Sequence, residues 1–548
     1  MPHHPVLSTP ELLDHIFSFL CRDDNAATAR VCRMWTDPSR DHIWSVVDKP
    51  CELFRLLSPI SVCPVGGVGD ETHRFVRQPT QSEWNHFLPF SRRVRELSDS
   101  LKCAATVVSL LEDIIRTQPS SLATCFPRLV DLQITIGHHL ITPLLHHHIK
   151  VLGITAPVDN PRYPPYAIFD DIVARSPGIS TMIFWGDGLP EKDIEGPLCT
   201  FFPRLPLLES VAFSLYDFTT SIANTLLNNG TIKLVHFTNS GNEEDDIADS
   251  QEDARPPSDI VSFSPVLKKG LIRALTTLEL AVSFSDTVFL FSENASQFPH
   301  LCTVTIRSLS AESEASARSL FDGFGRHLPW LTTLSVISTI SFQALEDEPN
   351  EWSDEEDHET WSFDTLRGIL NLKHLQSLKI AATYPLMLND QDMATIAKNL
   401  CQLASLFLNP IPRMHDVPQL TLHSLTPLAE HCPRLKTLGL YLDARTPPLS
   451  RETSSTDVVP FTPGLALLRL NASPVDEQLR DDIVLFLSRL LYPQTTVKTT
   501  FPSFHMDTPI MLPEEAIINT WVGIEKYLRL VVKARQEERD RAAQHGLP

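Results

Sequence analysis

Glycine is scarce in this chain, 19 of 548 residues, and nowhere does it build a phosphate-cradling loop or a Gly-x-Ser-x-Gly elbow. The pair of histidines of a His-Glu-x-x-His helix is missing too, as is any Cys/His array with metal-ligand spacing. These gaps take away the usual sequence evidence for nucleotide use, serine hydrolysis and zinc hydrolysis, so we expect no catalytic residues, no cofactor and no metal. Basic residues are outnumbered, 46 Lys and Arg against 67 Asp and Glu, for a net charge of −21. That balance argues against nucleic acid or an anionic membrane as the main partner. No apolar run approaches a membrane span, and Met1-Pro2-His3-His4-Pro5 lacks a basic-then-apolar leader pattern. The ten cysteines are scattered without paired spacing, as expected of buried free thiols in a reducing compartment. The glycosylation-like triplets at Asn229, Asn294 and Asn471 then read as chance, and the expected location is cytoplasmic or nuclear.

What the sequence does contain is a folded composition, 42% hydrophobic and 21% charged, and a recurring phrase of the form apolar-x-x-apolar-x-apolar. The phrase ends at Leu132-Gln133-Ile134, Leu152-Gly153-Ile154, Met182-Ile183-Phe184, Val211-Ala212-Phe213 and Val235-His236-Phe237. It returns at Leu278-Glu279-Leu280, Val304-Thr305-Ile306, Leu334-Ser335-Val336, Leu378-Lys379-Ile380, Leu406-Phe407-Leu408, Leu438-Gly439-Leu440 and Leu468-Arg469-Leu470. Two apolar positions one residue apart face one side of a strand. Helix-like stretches such as 315–328 and 390–400 separate the phrases, so each unit reads as strand plus helix. The fold class expected is therefore α/β, with 90–512 as one strand-and-helix solenoid.

Two steps between phrases are much longer than the rest, and they hold the acidic runs 240–258 and 345–361. Like charges and few apolar anchors, Trp352 and Trp361 excepted, make these read as mobile, solvated insertions. At the end, 513–548 reads as a capping helix and charged tail, with Ile517, Trp521, Ile524, Leu528 and Val531 on one face. His138, His139, His146, His147 and His148 cluster without a carboxylate or thiolate among them, which favours packing over metal binding.

Before the repeats, residues 1–48 read as three short helices. Thr9-Pro10 starts the first, Asp24 caps the second, and Asp37-Pro38 starts the third. Leu12, Leu13, Ile16, Phe17 and Leu20 recur at helical spacing, and Phe19, Trp35 and Trp44 add more apolar surface than so small a unit can hide. The segment resembles an F-box, through Pro10-Glu11-Leu12, Ile16-Phe17, Leu20, Val31-Cys32-Arg33-Met34-Trp35 and the closing Trp44. Pro10 and Glu11 are adjacent here rather than one residue apart. The resemblance implies docking on the Skp-type adaptor of a Skp–cullin–F-box ubiquitin ligase by Pro10, Leu12, Leu13, Ile16, Phe17, Leu20, Val31, Cys32, Trp35 and Trp44.

The repeats are similar to irregular leucine-rich repeats, although the Asn or Cys three residues past the last apolar position is replaced, as at Gly137, Asp187, Leu309, Thr339, Asp443 and Ser473. The usual side-chain ladder is thus expected to be absent. Residues 49–89, with Glu83-Trp84 and Phe87 leading to Val94 and Leu97, resemble the linker and solenoid cap of F-box proteins common in fungi (basidiomycete-like). Together these features imply a substrate-recognition subunit that holds an unidentified protein client, the alternative being a repeat scaffold that acts without a cullin.

Overall fold

The computed structural model describes residues 9–64, 71–98, 104–117, 122–134, 138–155, 167–185, 195–214, 218–238, 262–268, 270, 272–308, 312–338, 360–412, 414, 416–447, 459–470, 473–498 and 515–545. The chain divides into two compact units, Met1–Thr238 and Asn239–Pro548. The acidic run 240–258 and all of 345–361 except its last two residues lie outside the described residues.

In the first unit, helices α1 (Pro10–Phe17), α2 (Arg22–Thr28) and α3 (Arg33–Ser45) come first. Strand β1 (Val46–Val47) follows, then an antiparallel hairpin of β2 (Ile60–Pro64) and β3 (Glu71–Phe75) that carries no repeat phrase. A run of parallel strands completes the unit: β4 (Glu96–Ser98), β5 (Asp131–Gln133), β6 (Val151–Thr155), β7 (Thr181–Trp185), β8 (Ser210–Phe213) and β9 (Leu234–Phe237). The second unit holds β10 (Thr277–Ala281), β11 (Thr303–Ser308), β12 (Thr333–Ser338), β13 (Ser377–Ala382), β14 (Ser405–Leu408), β15 (Thr437–Leu440), β16 (Leu467–Arg469) and β17 (Thr496–Lys498), each parallel to the next.

Every repeat phrase has become a strand, and the fold is α/β with the strand-plus-helix repeat of a leucine-rich solenoid. The physical cause is register. In-register neighbours such as Val304, Leu334, Leu378, Leu406, Leu438 and Leu468 are all completely buried and stack as one apolar row. The second long step leaves this row intact, since Leu334 pairs directly with Leu378 across the insertion. Helices behind the strands present matching faces, for instance Leu320, Phe321 and Phe324 from Glu314–His327 and Met393 and Ile396 from Asp390–Asn399.

Of the positions three residues past the phrase, Gly137, Asp187, Leu309 and Thr339 lie outside the described residues, Asp443 pairs with Arg445, and Ser473 bonds to a neighbouring repeat; elsewhere single side chains serve strand ends from other offsets. Immediately after β14, Asn409 adopts φ 47°, donates from Nδ2 to the Tyr384 carbonyl (2.7 Å) and accepts from the Ala382 N–H (3.3 Å). Ser338 Oγ accepts from the Glu312 N–H (3.3 Å), while the Glu312 carboxylate takes the Ser308 hydroxyl (2.6 Å). Ser473 Oγ accepts from the Leu442 N–H (3.1 Å). Buried hydroxyls and one asparagine, at offsets that vary between repeats, thus satisfy the backbone where strands end.

The terminal helix runs Glu515–His545 and buries Trp521, Ile524, Leu528 and Val532, where Val531 had been expected. Trp521 Nε1 donates to the Ser473 carbonyl (2.8 Å), and Arg480 lies 5.3 Å from the Tyr527 ring centroid. Trp361, at the edge of the second acidic run, is buried against Phe284 and Phe321 and donates to the Glu312 carbonyl (3.4 Å).

The thiols are less uniform than expected: Cys125 and Cys432 are buried, whereas Cys21, Cys32 and Cys401 are exposed. Burial pushes the Cys432 thiol up to about 12. Alkylation of the native protein at pH 8 should therefore label Cys401 quickly and leave Cys432 unmodified until the chain unfolds, as peptide mapping would show.

Candidate functional site

Three short helices cannot fill a core by apolar packing alone, and here polar pins replace the missing volume. Asn25, buried on α2, donates from Nδ2 to the carbonyls of Phe17 and Leu20 (both 3.1 Å), closing the end of α1. Thr28 and Ser39 share a hydroxyl–hydroxyl hydrogen bond (2.8 Å), and Thr36 donates to the Ala29 carbonyl (3.0 Å). His42 Nε2 lies 2.9 Å from Asp14 Oδ1, tying α3 to α1. The apolar contribution is Leu13 and Phe17, both buried, with Phe17 edge-on to Trp35 at 5.6 Å between centroids.

The helix starts differ from those expected. The α1 N-cap, Thr9, makes no side-chain cap bond, while its carbonyl accepts from the Leu13 N–H (3.0 Å). Cys21, not Asp24, caps α2, its sulfur accepting from the Asp24 N–H (3.5 Å). Helix α3 begins at Arg33, so Pro38 lies inside it. A cap-plus-proline pair marks a helix start only where the preceding turn is not already helical, and here residues 33–36 are.

The ten proposed docking residues separate into three groups. Leu13 and Phe17 belong to the interior, so they are unavailable to a partner in this arrangement. Trp44 is half-buried and stacks edge-on against Phe90 of the following helix, Gln81–Ser91, with Arg22 5.7 Å from its ring. Leu20 and Trp35 are half-buried, and Pro10 and Cys32 are exposed. Leu12 (44%), Ile16 (39%) and Val31 (62%) keep large apolar surfaces in solvent. Phe19 (76%) and Met34 (51%) do the same, although neither was among the ten. Their signal was the surplus of aromatic and sulfur-bearing residues over what three helices can bury.

This helical unit is fastened to the first repeats rather than tethered. Helix α3 runs straight into β1, which pairs in parallel with β4 (Val46 opposite Glu96, Val47 opposite Leu97). Arg93 reaches back from the loop before β4: Nη2 meets Asp37 Oδ1 at 2.9 Å, and Nη1 meets the Asp37 carbonyl at 3.1 Å and pairs with Asp41. Arg93 is mostly sheltered and its Nε donates to the Pro89 carbonyl (3.0 Å). The joining helix carries a capping box between Thr80 and Glu83, and Arg77, with help from Thr80, holds the Glu83 carboxyl down at about 2. Replacing Arg93 by Ala should cost about 1–3 kcal/mol locally. Hydrogen exchange in residues 37–47 would then rise about 10–100-fold, with β6–β8 unchanged; equal protection throughout would show that the clamp does nothing.

In the histidine cluster the His146 ring is engaged at both nitrogens, and no group of three or more side chains able to hold a metal occurs among the described residues. His146 Nε2 lies 3.0 Å from the Phe126 carbonyl, and its Nδ1 accepts from the His148 N–H (3.3 Å). Burial, followed by the neighbouring imidazoles, lowers its pKa and favours the neutral ring. Of His138 and His139 only the helical backbone is described.

No protein-family model matches the chain, and no curated protein matches it. Among solved structures, the chain is similar to one in "Crystal structure of Rad7 and Elc1 complex in yeast", 13% identical, covering 74% of this chain and 86% of that one, with a TM-score of 0.35. A likeness at that level adds nothing to the geometry described above.

Proposed function

We propose that this protein is the substrate-recognition subunit of a Skp–cullin–F-box ubiquitin ligase. Its N-terminal helices dock on a Skp-type adaptor, and its repeats hold a protein client. One observation carries the reading: the three-helix unit leaves Leu12, Ile16, Phe19, Val31 and Met34 in solvent, within the segment that resembles an F-box. Apolar side chains held out by short, polar-pinned helices do nothing for the fold, and their desolvation is the ordinary driving force of a protein interface.

On this reading the protein performs no chemistry of its own. It raises the effective concentration of client and loaded carrier enzyme by fixing both in one complex. The secured joint between α3 and β4 supports that role, because a rigid spacer confines the client to a smaller volume than a flexible one. The reading also places the protein in the cytoplasm or nucleus, where such ligases work.

Affinity purification of the full chain from native extract tests this. Co-purification of both adaptor and cullin supports the ligase subunit, and adaptor without cullin supports the scaffold alternative. Recovery of neither removes the ligase reading and leaves a repeat scaffold that binds no adaptor.

A further inference from the structure

In the first unit, the strand face turned away from the core carries an unusual juxtaposition. Glu96 on β4 stands directly opposite Asp131 on β5, and the same row continues to Val151 on β6. Like charges in directly opposed positions destabilise a sheet. After burial, the influences on Glu96 are the charges of Asp131 and Asp48, all three raising its pKa. Burial likewise raises that of Asp131, opposed by hydrogen bonds from the Gln133 amide (2.9 and 3.1 Å). The fold therefore holds two half-buried carboxylates at a cost that a cation from outside would relieve.

One strand further on, the face becomes apolar. Ile183 on β7 is in register with Gly153 on β6, and the Trp185 ring lies over that glycine. A Cβ built on Gly153 would come 2.1 Å from the Trp185 ring, so any other residue would displace the indole. Trp185, Ile183 and Val151 are all half-exposed. An indole held in place beside two aliphatic side chains is the composition of a binding hot spot. Strands lie about 4.8 Å apart, so the carboxylates and the indole are separated by roughly 10–15 Å, the reach of three to five extended residues.

We propose that this face binds an extended segment of the client protein, in which an arginine or lysine sits against Glu96 and Asp131 and a large apolar side chain three to five residues away packs on Trp185. The proposal rests on the reading of the repeats as client-holding. Charge complementarity selects the occupant: the chain's own insertions are acidic and would be repelled. A bound metal ion fits poorly, since no group of three or more ligating side chains able to hold one occurs among the described residues.

The test is selection of a random dodecapeptide phage library on the full-length protein, followed by titration of the synthesised consensus peptide. Expected is a consensus pairing a basic residue with a leucine, phenylalanine or tryptophan at the stated spacing. Glu96→Gln with Asp131→Asn should weaken the peptide tenfold or more without lowering the melting temperature, since the change removes a repulsion. Trp185→Ala should weaken it similarly, and should that variant fold poorly, the amide pair still decides. No enrichment, a consensus without a basic residue, or unchanged affinity in the amide pair would overturn the proposal. Adaptor capture, measured on the same preparations, is expected to be unaffected. Its loss in the wild-type protein would remove the ligase reading instead and leave the peptide result standing.

Discussion

Replacing Leu334 by aspartate is expected to destroy the second unit. Leu334 has no exposed surface and lies in register between Val304 and Leu378, themselves fully buried. The substitution removes about 2–3 kcal/mol of apolar burial and strands a carboxylate with no partner in the row. Together these exceed about 5 kcal/mol, comparable to the whole stability of a domain. Because each repeat is stabilised by its neighbours, the damage should spread over several repeats, and Leu438→Asp should behave alike. The measurement is a thermal melt followed by circular dichroism, with soluble yield as a second reading. Leu485→Asp, an exposed position on the helix Arg480–Leu490, is the control and should change stability by less than about 0.5 kcal/mol. A Leu334→Asp protein melting within a few degrees of the parent would show that the strand row is not the core.

The second large effect concerns the N-terminal helices. Ile16→Asp combined with Val31→Asp should reduce binding to the Skp-type adaptor by at least about 100-fold, since two central apolar anchors are each worth about 2 kcal/mol or more. The helical signal should remain, because both side chains are in solvent. Leu13→Ala is a different experiment. It empties part of the interior of the three-helix unit and should cost about 2–5 kcal/mol, so a loss of binding there would report unfolding and not contact. Surface plasmon resonance on both variants, beside their melting curves, separates the two. Undiminished adaptor binding by the Ile16/Val31 variant would place the docking face elsewhere.

Those contrasts show where the sequence was legible. The strand rows were plain because burial on one face imposes a spacing of two, which survives in Leu334-Ser335-Val336 as clearly as in Leu438-Gly439-Leu440. The division of labour within α1 was not. Leu12, Leu13, Ile16 and Phe17 share helical spacing, and only the positions of α2 and α3 decide that Leu13 and Phe17 turn inward while Leu12 and Ile16 do not. The hairpin of β2 and β3 carries no repeat phrase, and its sequence signal is the pair of turn dipeptides Gly66-Gly67 and Gly69-Asp70 between two short β-branched runs. Ser473 serves from the offset a regular repeat uses, whereas Asn409 and Ser338 follow their phrases more closely. Side-chain hydrogen bonds need only the right point in space, and a chain with irregular turns reaches it at irregular sequence positions. The facing carboxylates of Glu96 and Asp131 lie 35 positions apart in sequence, so only strand register brings them together.

The pairing of β1 with β4 also has a consequence for synthesis. Val46 and Val47 find their partners only when Glu96 and Leu97 have left the ribosome, roughly 50 residues later. At ordinary translation rates that interval is roughly 2–10 s. Throughout it, Trp44 lacks its Phe90 neighbour, and Asp37 and Asp41 await Arg93. The nascent helical segment therefore spends seconds as an exposed apolar stretch with an open strand edge, long enough for a chaperone to meet it first.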